Sequence, residues 1–395
     1  MKWASAISTQ ENIVSCIEET IESIRKKLDG VEPHLTIIFV SPHYGGDIEK
    51  IPELIRERLS PGILFGCTGG GIIGAGEEVE QQPAFSITCA HLPEVEIQTI
   101  YSDTMNLPDQ DSSPRIWREW LNLPQEKAPQ FLFLADPFSF HGEEFLSGID
   151  FAYSASKKVG GLASGARQPG GNRLFLDQEI YDKGLIGLAL CGNIQLDTIV
   201  AQGCRPIGAP MNITKCDRQL IRELDGRPPM EILQEIYDTL NEKDRELLQT
   251  SLFLGIEMDP MNDNPKQGDF LIRNLMGADR ETGGISIGAL LREGQLVQFH
   301  LRDKGMSSED LNMVLTRYQE ENDYQSAEGA LLFSCLGRGQ YLYGKPNHDS
   351  NLFQEKLGEM PLGGFFCNGE IGPVGSSTFL HGYTSSFGIF RPSKL

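Results

Sequence analysis

A glycine-rich stretch near residue 70 has the spacing of a nucleotide-binding motif. The stretch FGCTGGGIIGAGEEVEQQP contains G-x-G-x-x-G at Gly69, Gly71 and Gly74. In dinucleotide-binding domains such glycines lead into a helix whose N-terminus holds the pyrophosphate. Here six residues separate Gly76 from Pro83, whereas a crossover helix needs about a dozen. The stretch therefore predicts a turn, which either closes packed strands or turns backbone N–H groups towards an anion in a cleft.

Two charged side chains could hold the ends of a small zwitterion. Arg338 ends a predicted strand beside Gly337 and Gly339, and its guanidinium fork suits a bidentate carboxylate. Glu370 follows a glycine turn and could receive an amine. Together they match the two ends of an amino acid. The structural alternatives are an ion pair between Arg338 and Glu370 or another acid, and a Glu370 side chain that caps neighbouring turn amides.

The same region also contains the parts of a Cys/His/acid hydrolase. Cys335 would be the nucleophile, His381 the base and Glu370 the group that orients it. No cysteine stands at a recognisable helix N-terminus that would favour its thiolate, and a buried thiol and a hydrogen-bonded core histidine explain the same residues. We therefore predict a binding protein without catalytic residues, and we keep a Cys/His-dependent hydrolase or transferase as an alternative.

Repeated units position these residues. Apolar spacing predicts an amphipathic helix over residues 11–29 and a buried strand over 35–44. The order strand, helix, glycine turn, strand then recurs at an offset of 95 residues. A third, looser copy covers residues 330–390. The offset aligns four pairs: Pro42 with Pro137, Gly66 with Gly161, Gly70 with Gly165, and Gly76 with Gly171.

These units predict an α/β fold with two domains, residues 1–225 and 226–395. Each domain has mixed sheets built from strand–helix–glycine-turn–strand units, and a cleft lined by glycine turns lies between the halves. Between the second and third copies we predict helices over residues 214–226 and 228–240. The sequence LDGRPP marks the domain boundary.

Composition limits the partners. The chain has 395 residues and a formal net charge of −21, which disfavours binding to nucleic acid and to anionic membranes. No apolar run reaches the length of a membrane span. The eight cysteines show no C-x-x-C and no zinc spacing, so we predict no metal and no cofactor. Free thiols and the lack of a signal-peptide pattern indicate a cytoplasmic protein.

Several motifs resemble those of the FIST family, the F-box and intracellular signal transduction domain. Its C-terminal half is matched by Gly369-Glu370-Ile371 with His381 and Thr384, and by the Phe-Ser-Cys-x-x-Arg pattern that ends at Arg338. GCTGGGIIG, residues 66–74, and Gly203-Cys204-Arg205-Pro206 match its N-terminal half. The resemblance and the charge argument together predict a ligand-binding set: Arg338, Glu370, His381, Cys335, Thr384, Thr68, Gly70 and Arg205.

The resemblance implies a stand-alone sensory protein of signal transduction. Its small-molecule ligand is expected to be an amino acid, bound in the cleft between glycine turns, and a signalling protein is its expected partner. A scaffold or partner-binding protein that acts through the acidic surface is the remaining alternative.

Overall fold

Strands and helices alternate along the chain and assemble into mixed sheets. The computed structural model describes residues 1–60, 62–103, 106–109, 111–262 and 264–393. Within these residues the strands form three six-stranded sheets and one closed barrel of six strands. The first of two compact units comprises Met1–Val200, Met313–Leu380 and Thr384–Leu395. The second comprises Ala201–Asn312 and His381–Tyr383.

The first unit contains three copies of one chain path. The first copy consists of β1 (Lys2–Ser8), α1 (Ile13–Lys27), β2 (Leu35–Val40), a 3-10 helix (Pro42–Lys50), α2 (Ile51–Arg58), β3 (Ile63–Thr68), β4 (Gly71–Gly74), β5 (Glu77–Glu80) and β6 (Phe85–His91). The second copy consists of β7 (Val95–Ser102), α3 (Pro114–Leu121), a 3-10 helix (Gln125–Lys127), β8 (Gln130–Ala135), α4 (Gly142–Ala152), β9 (Lys158–Leu162), β10 (Leu174–Leu176), β11 (Glu179–Tyr181) and β12 (Leu185–Gly192).

The third copy begins with β13 (Gln195–Ala201) and is interrupted in sequence by the second unit. That unit contains β14 (Cys204–Asp217), β15 (Leu220–Leu224), α5 (Pro229–Thr239), α6 (Glu242–Thr250), β16 (Leu252–Glu257), β17 (Phe270–Ala278), β18 (Ile285–Ile287) and β19 (Leu296–Arg302). The third copy then continues with α7 (Lys304–Glu321), a 3-10 helix (Tyr324–Ser326), β20 (Gly329–Cys335), α8 (Gly339–Tyr343), α9 (His348–Leu357), β21 (Leu362–Cys367), β22 (Glu370–Val374), β23 (Ser377–His381) and β24 (Ser385–Arg391).

Each copy contributes a β-hairpin to the sheet of another copy. The three sheets have the orders β1-β6-β2-β3-β10-β11, β7-β12-β8-β9-β22-β23 and β13-β24-β20-β21-β4-β5. Thus β4 of the first copy pairs with β21 of the third. Likewise β10 of the second copy pairs with β3 of the first, and β22 of the third pairs with β9 of the second. The exchange is cyclic, so the turn before each hairpin lies where two copies meet.

Strands that are buried on both faces explain the continuous apolar runs in the sequence. In β2, Ile37 and Phe39 face a core shared by all three sheets, while Ile38 and Val40 face a second core that includes α1 and α2. A strand covered on both faces loses the polar alternation of a half-exposed strand. The predicted amphipathic helix over residues 11–29 corresponds to α1, which Asn12 caps by accepting the Val14 N–H at 2.9 Å.

One glycine per copy lets two parallel strands approach at an equivalent place. Gly66, Gly160 and Gly364 pair with Ile38, Phe133 and Leu332. A Cβ atom at these glycines would lie 2.0, 1.8 and 1.9 Å from the carbonyl oxygen of the paired residue. The register therefore makes Gly160 the equivalent of Gly66, whereas the offset of 95 residues aligned Gly66 with Gly161. The difference arises because the connection between the two parallel strands is one residue shorter in the second copy.

The second unit is built on the closed barrel β14-β15-β18-β17-β16-β19. The predicted helix over residues 214–226 is wrong, because these residues form the end of β14 and β15, with Cys216 opposite Ile221. Arg218 has a φ of 53°, which ends the first strand and begins the second. Ile213, Ile221 and Leu224 are buried in the barrel core. The demand for a paired, inward-facing strand outweighs the local helical pattern here.

The α/β prediction with mixed sheets and repeated units is confirmed. The boundary near residue 225 stays a prediction about segments of the sequence, since the two compact units are discontinuous along the chain. All three glycine turns belong to the first unit. In the described part of the chain no helix is long and apolar enough to cross a membrane.

Candidate functional site

The turns that follow β3, β9 and β21 meet in the first unit. The Ser164 N–H donates to the Thr68 carbonyl at 3.2 Å. The Ser164 hydroxyl donates to the carbonyl of Phe366 and accepts the Gly70 N–H at 2.9 Å. One serine side chain of the second copy thereby joins turns of the first and third copies.

Further backbone hydrogen bonds close the same place. The Asn368 N–H donates to the Leu162 carbonyl at 3.1 Å, and the Leu162 N–H donates to the Gly369 carbonyl at 2.8 Å. The Leu336 N–H donates to the Cys367 carbonyl at 3.0 Å. We call this region the turn cluster, which comprises residues 68–70, 162–165, 335–338 and 367–370.

Glycine is required in the turn cluster because the chains approach closely. A Cβ atom at Gly70 would lie 2.7 Å from the Leu336 side chain and 3.0 Å from the Ser164 carbonyl oxygen. A Cβ atom at Gly165 would lie 2.7 Å from Cβ of Thr68. Since the Gly70 N–H is taken by Ser164, the glycine spacing serves contacts between copies. After Gly74 the chain forms the β4–β5 hairpin, which agrees with the expected lack of a pyrophosphate-binding helix.

Two of the predicted ligand-binding residues, Cys335 and Glu370, belong to the turn cluster, and Thr384 forms hydrogen bonds with both. Glu370 is fully buried, and its Oε2 accepts the Thr384 N–H at 3.2 Å and the Thr384 hydroxyl at 2.8 Å. The Cys335 N–H donates to the Thr384 carbonyl at 2.9 Å. Cys335 itself is half-buried. The structure thus brings Cys335, Glu370 and Thr384 to adjoining strand ends.

Arg338 forms a buried ion pair whose partner the sequence analysis did not identify. Its side chain is 0% exposed, and its Nε and Nη2 donate to the Asp349 carboxylate at 2.8 and 3.2 Å. Burial alone would lower the pKa of Arg338, but the Asp349 charge outweighs burial and raises it. Most of the guanidinium fork is therefore already occupied by a carboxylate of the protein.

Asp349 is the centre of a larger polar network in the first turn of α9. Besides Arg338, it accepts hydrogen bonds from the Ser385 hydroxyl at 2.6 Å, the Ser334 hydroxyl at 3.3 Å and the His348 Nδ1–H at 2.9 Å. Burial would raise the pKa of Asp349, but the Arg338 charge and these hydrogen bonds hold it well below its usual range. Asp349 is therefore a buried carboxylate, and every one of its partners named here stabilises its charge.

Two carboxylates of β5 reach the same network. The Glu78 Oε1 accepts the Ser350 N–H at 2.7 Å in the first turn of α9, and the Glu80 Oε1 accepts the Gln340 N–H at 2.8 Å at the start of α8. A helix N-terminus favours such negative groups. Burial, then the Asp349 charge, nevertheless raise the pKa of Glu78 to about 7. Glu78 therefore titrates near neutral pH.

Three buried atoms around Asp349 have no hydrogen-bond partner among the residues that the structure describes. They are Nη1 of Arg338, Oε2 of Glu78 and Oγ of Ser350. Each unsatisfied buried group of this kind costs about 1–3 kcal/mol. We call the network the Asp349 cluster, which comprises Glu78, Ser334, Arg338, His348, Asp349, Ser350 and Ser385.

Sequence analysis missed Glu78 and Asp349. Asp349 lies in the first turn of the observed α9, where an acidic side chain is favourable, but it precedes the segment NLFQEKLG, residues 351–358, whose pattern is helical. Glu78 had no readable signal, since its contact with Ser350 joins residues 272 positions apart in the sequence.

The remaining predicted residues are Thr68, Arg205 and His381. Thr68 belongs to the turn cluster, where its hydroxyl accepts the Arg173 N–H at 3.0 Å. Arg205 and His381 belong to the second unit. There Arg205 forms an ion pair with Asp244, and His381 is buried at the end of β23.

A cleft of about 410 Å³ in the first unit is lined by His34, Leu92 and Val95 among others, and none of the predicted ligand-binding residues lines it. Across the described residues, no group of histidine, cysteine, aspartate and glutamate side chains could hold a metal ion.

Comparison with known proteins gives matches over almost the whole chain. Uncharacterized protein Rv0628c of Mycobacterium tuberculosis is 34% identical over 99% of this chain and 100% of its own length. Uncharacterized protein Mb0898c of Mycobacterium bovis is 32% identical over 99% of both chains. An F-box/LRR-repeat protein of Arabidopsis thaliana, At5g63520, is 25% identical over 66% of this chain and 57% of its own length.

A solved structure and two family models complete the comparison. A cyanuric acid hydrolase from A. caulinodans covers 100% of both chains at 7% identity, with a TM-score of 0.31, which is too low to support any argument. The FIST N domain matches residues 34–227, and the FIST C domain matches residues 229–373. The chain therefore belongs to the FIST family, whose domains are associated with sensing in signal transduction.

Proposed function

We propose that the protein is a sensor that binds a small zwitterion, an amino acid, at the Asp349 cluster. The observation that carries this proposal is a pair of atoms, Nη1 of Arg338 and Oε2 of Glu78, that have no hydrogen-bond partner among the described residues. One is a donor on a cation and the other an acceptor on an acid, and both belong to side chains at least nine-tenths buried. A ligand with a carboxylate and an ammonium group would satisfy both.

The charges of the cluster suit this ligand. The ligand carboxylate would accept a charge-assisted hydrogen bond from Nη1 of Arg338. Asp349 would keep its hydrogen bonds from Nε and Nη2. The ligand ammonium would donate to Oε2 of Glu78. An adjacent positive charge favours the ionised form of a carboxyl group, so binding would draw the proton from Glu78.

The predicted residues next to the cluster form the other wall of the proposed site. Thr384 precedes Ser385, and Cys335 follows Ser334, so both adjoin the Asp349 cluster along the chain. Glu370 is bound to Thr384, and Thr68 and Gly70 belong to the turn cluster. Arg205 and His381 remain sequence-based predictions for the second unit.

Helix α8 is the proposed cover of the site. It links Arg338 to the segment before α9 and is bracketed by Gly339 and Gly344, whose φ values are 64° and 73°. Tyr343 stacks on His348 with ring centroids 3.4 Å apart, while Tyr341 is 87% exposed. A short helix with glycines at both ends can move as a unit, and we propose that the ligand enters when it does.

We further propose a cytoplasmic protein that passes its state to a signalling partner. Eight cysteines without a disulfide support a reducing compartment. The sensing role of FIST domains supports a partner. A Cys335/His381 hydrolase and a scaffold remain hypotheses from the sequence.

A ligand screen tests the proposal. The full chain would be melted with each of the twenty amino acids at pH 8, and positive cases titrated by calorimetry. We expect at least one amino acid to raise Tm. Glu78→Gln should weaken its binding at least tenfold, whereas Glu53→Gln, an exposed change of the same charge on α2, should not. Silence across the panel, or equal binding by Glu78→Gln, would rule out this site.

A further inference from the structure

The ends of β20 and β21 place two cysteines side by side. Cys335 and Cys367 are register partners in these parallel strands. Neighbouring strands lie about 4.8 Å apart, and a disulfide needs a Cα–Cα separation of roughly 4.4–6.8 Å. Since partnered residues of adjacent strands project from the same face of the sheet, both side chains point to one side. The register therefore puts the two Cα atoms at about the separation that a bridge requires.

The two thiols differ in exposure and surroundings. Cys335 is half-buried, accepts a hydrogen bond from the Gly337 N–H at 3.4 Å and interacts with the Arg338 charge. An N–H donor and a nearby cation stabilise a thiolate. Cys367 is fully buried, and burial raises its pKa well above the ordinary value, with the charges of Glu370, Cys67 and Cys335 adding to the effect. Cys335 is therefore the thiol that meets an oxidant, and Cys367 the neighbour that can resolve it.

We propose that Cys335 and Cys367 form an oxidative modification site that a hydroperoxide converts to a cross-strand disulfide. The Cys335 thiolate attacks the distal peroxide oxygen, so an S–O bond forms, the O–O bond breaks and the leaving alkoxide or hydroxide takes a proton. The Cys367 sulfur then attacks the sulfenic sulfur of Cys335. An S–S bond forms, the S–O bond breaks, and the hydroxide leaves with the Cys367 proton as water.

The bridge would constrain the turn cluster and, through Arg338, the Asp349 cluster. It would tie the residue before Leu336, where the chain turns towards Arg338, to the residue before Asn368, where the chain turns towards Glu370. Because the Cys367 thiol is hard to ionise, its attack is expected to be slower than the first step. A nucleophile such as dimedone in excess should then capture the sulfenic acid of Cys335.

The test uses the full, reduced chain. Equimolar hydrogen peroxide is added, remaining thiols are alkylated, and the products are read by intact mass and by peptide mapping without reductant. Relative to the unoxidised, alkylated control, we expect the intact mass to lack two alkyl additions and two hydrogens, and one crosslinked peptide to contain Cys335 and Cys367. Cys335→Ser and Cys367→Ser should each abolish this peptide, and Cys367→Ser should accumulate dimedone adduct at Cys335. Cys216→Ser, a change at the other half-buried cysteine, should leave the crosslink unchanged.

Three results would overturn the inference. They are a chain that keeps both thiols, a crosslink from Cys335 to Cys67 instead, and a bridge between two chains. Melting curves establish whether each variant is folded. If Cys335→Ser is unfolded, the dimedone adduct at Cys335 in Cys367→Ser tests the inference by itself. The inference does not depend on the proposed ligand, so the two can fail separately.

Discussion

At the level of single residues, the Asp349 cluster holds charged side chains in a buried place. Arg338 and Asp349 form an ion pair, while Nη1 of Arg338 and Oε2 of Glu78 have no hydrogen-bond partner in the part of the chain that the structure describes. The sequence indicated that Arg338 would contact a carboxylate, with a ligand or a protein acid as the open alternatives. It could not choose between them, because the choice depends on where α9 places Asp349 relative to β20. The structure supplies Asp349 and leaves Nη1 of Arg338 without a hydrogen-bond partner among the described residues.

Arg338→Ala tests the weight of the buried ion pair. The change leaves the buried Asp349 without its cation, and breaking such a pair costs about 3–5 kcal/mol. We expect denaturant unfolding to show a loss of that size. Arg115→Ala serves as the control, because the Arg115–Glu119 pair is exposed and 3.6 Å long, and should change stability little. An Arg338→Ala variant as stable as the parent would mean that Asp349 takes up a proton or another partner at no cost.

Glu78→Gln tests the titration near neutral pH. Because the pKa of Glu78 is raised from 4.5 to about 7, the folded protein keeps this proton after the unfolded chain has released it. The Glu78 carboxyl group therefore lowers the free energy of unfolding of the wild type progressively as pH rises from roughly 4.5 to 7. Between pH 4 and a pH above 7, the stability of the variant relative to the wild type should rise by about 3 kcal/mol.

The measurement is the free energy of unfolding of both proteins at intervals from pH 4 to pH 8.5. Glu53→Gln provides the control, since an exposed side chain should give a difference that is flat with pH. A flat difference for Glu78→Gln as well would contradict the buried position of Glu78 beside Asp349.

At the scale of elements, the repeats were readable and their exchange was not. The apolar runs of β2, β8 and β20 and the spacing in α1 predict these elements because burial on one or both faces dictates the pattern. Residues 214–226 were predicted helical and form strands because barrel closure, a non-local demand, overrides local pattern. The hairpin exchange was equally invisible, since β4 pairs with β21 across nearly three hundred residues, as the register of Gly74 with Gly363 shows.

Gly66→Ala tests the close approach of parallel strands. Its Cβ would lie 2.0 Å from the Ile38 carbonyl oxygen, so the backbone of β2 or β3 must shift. Overpacking of this kind costs typically 1–3 kcal/mol. Because the atom in contact belongs to the backbone and cannot rotate away, we expect a loss of stability of about 3 kcal/mol or more. Gly46→Ala is the matched control, because, apart from its chain neighbours, no atom of the described residues lies within 4 Å of its added Cβ. Equal melting temperatures for the two variants would contradict the described register.

At the scale of the whole molecule, one chain path used three times has come to carry unequal chemistry. The Asp349 cluster combines β5 of the first copy with β20, α9 and β24 of the third. The aligned glycines and prolines made the repetition visible in the sequence. The Asp349 cluster was not visible there, because Glu78 and Asp349 belong to different copies and meet only in the folded protein. Family membership gives the coarse role of sensing, and the unequal copy gives the proposed place for the ligand.

The most direct test of the central claim is the proton count on ligand binding. An amino acid found in the screen would be titrated at pH 7 in buffers of different ionisation enthalpy. With a pKa of about 7, Glu78 is about half protonated at this pH, so wild type should release up to about half a proton per ligand. Glu78→Gln should release none. Binding heat that is independent of buffer in the wild type, or the same proton release in Glu78→Gln, would contradict a ligand ammonium at Glu78.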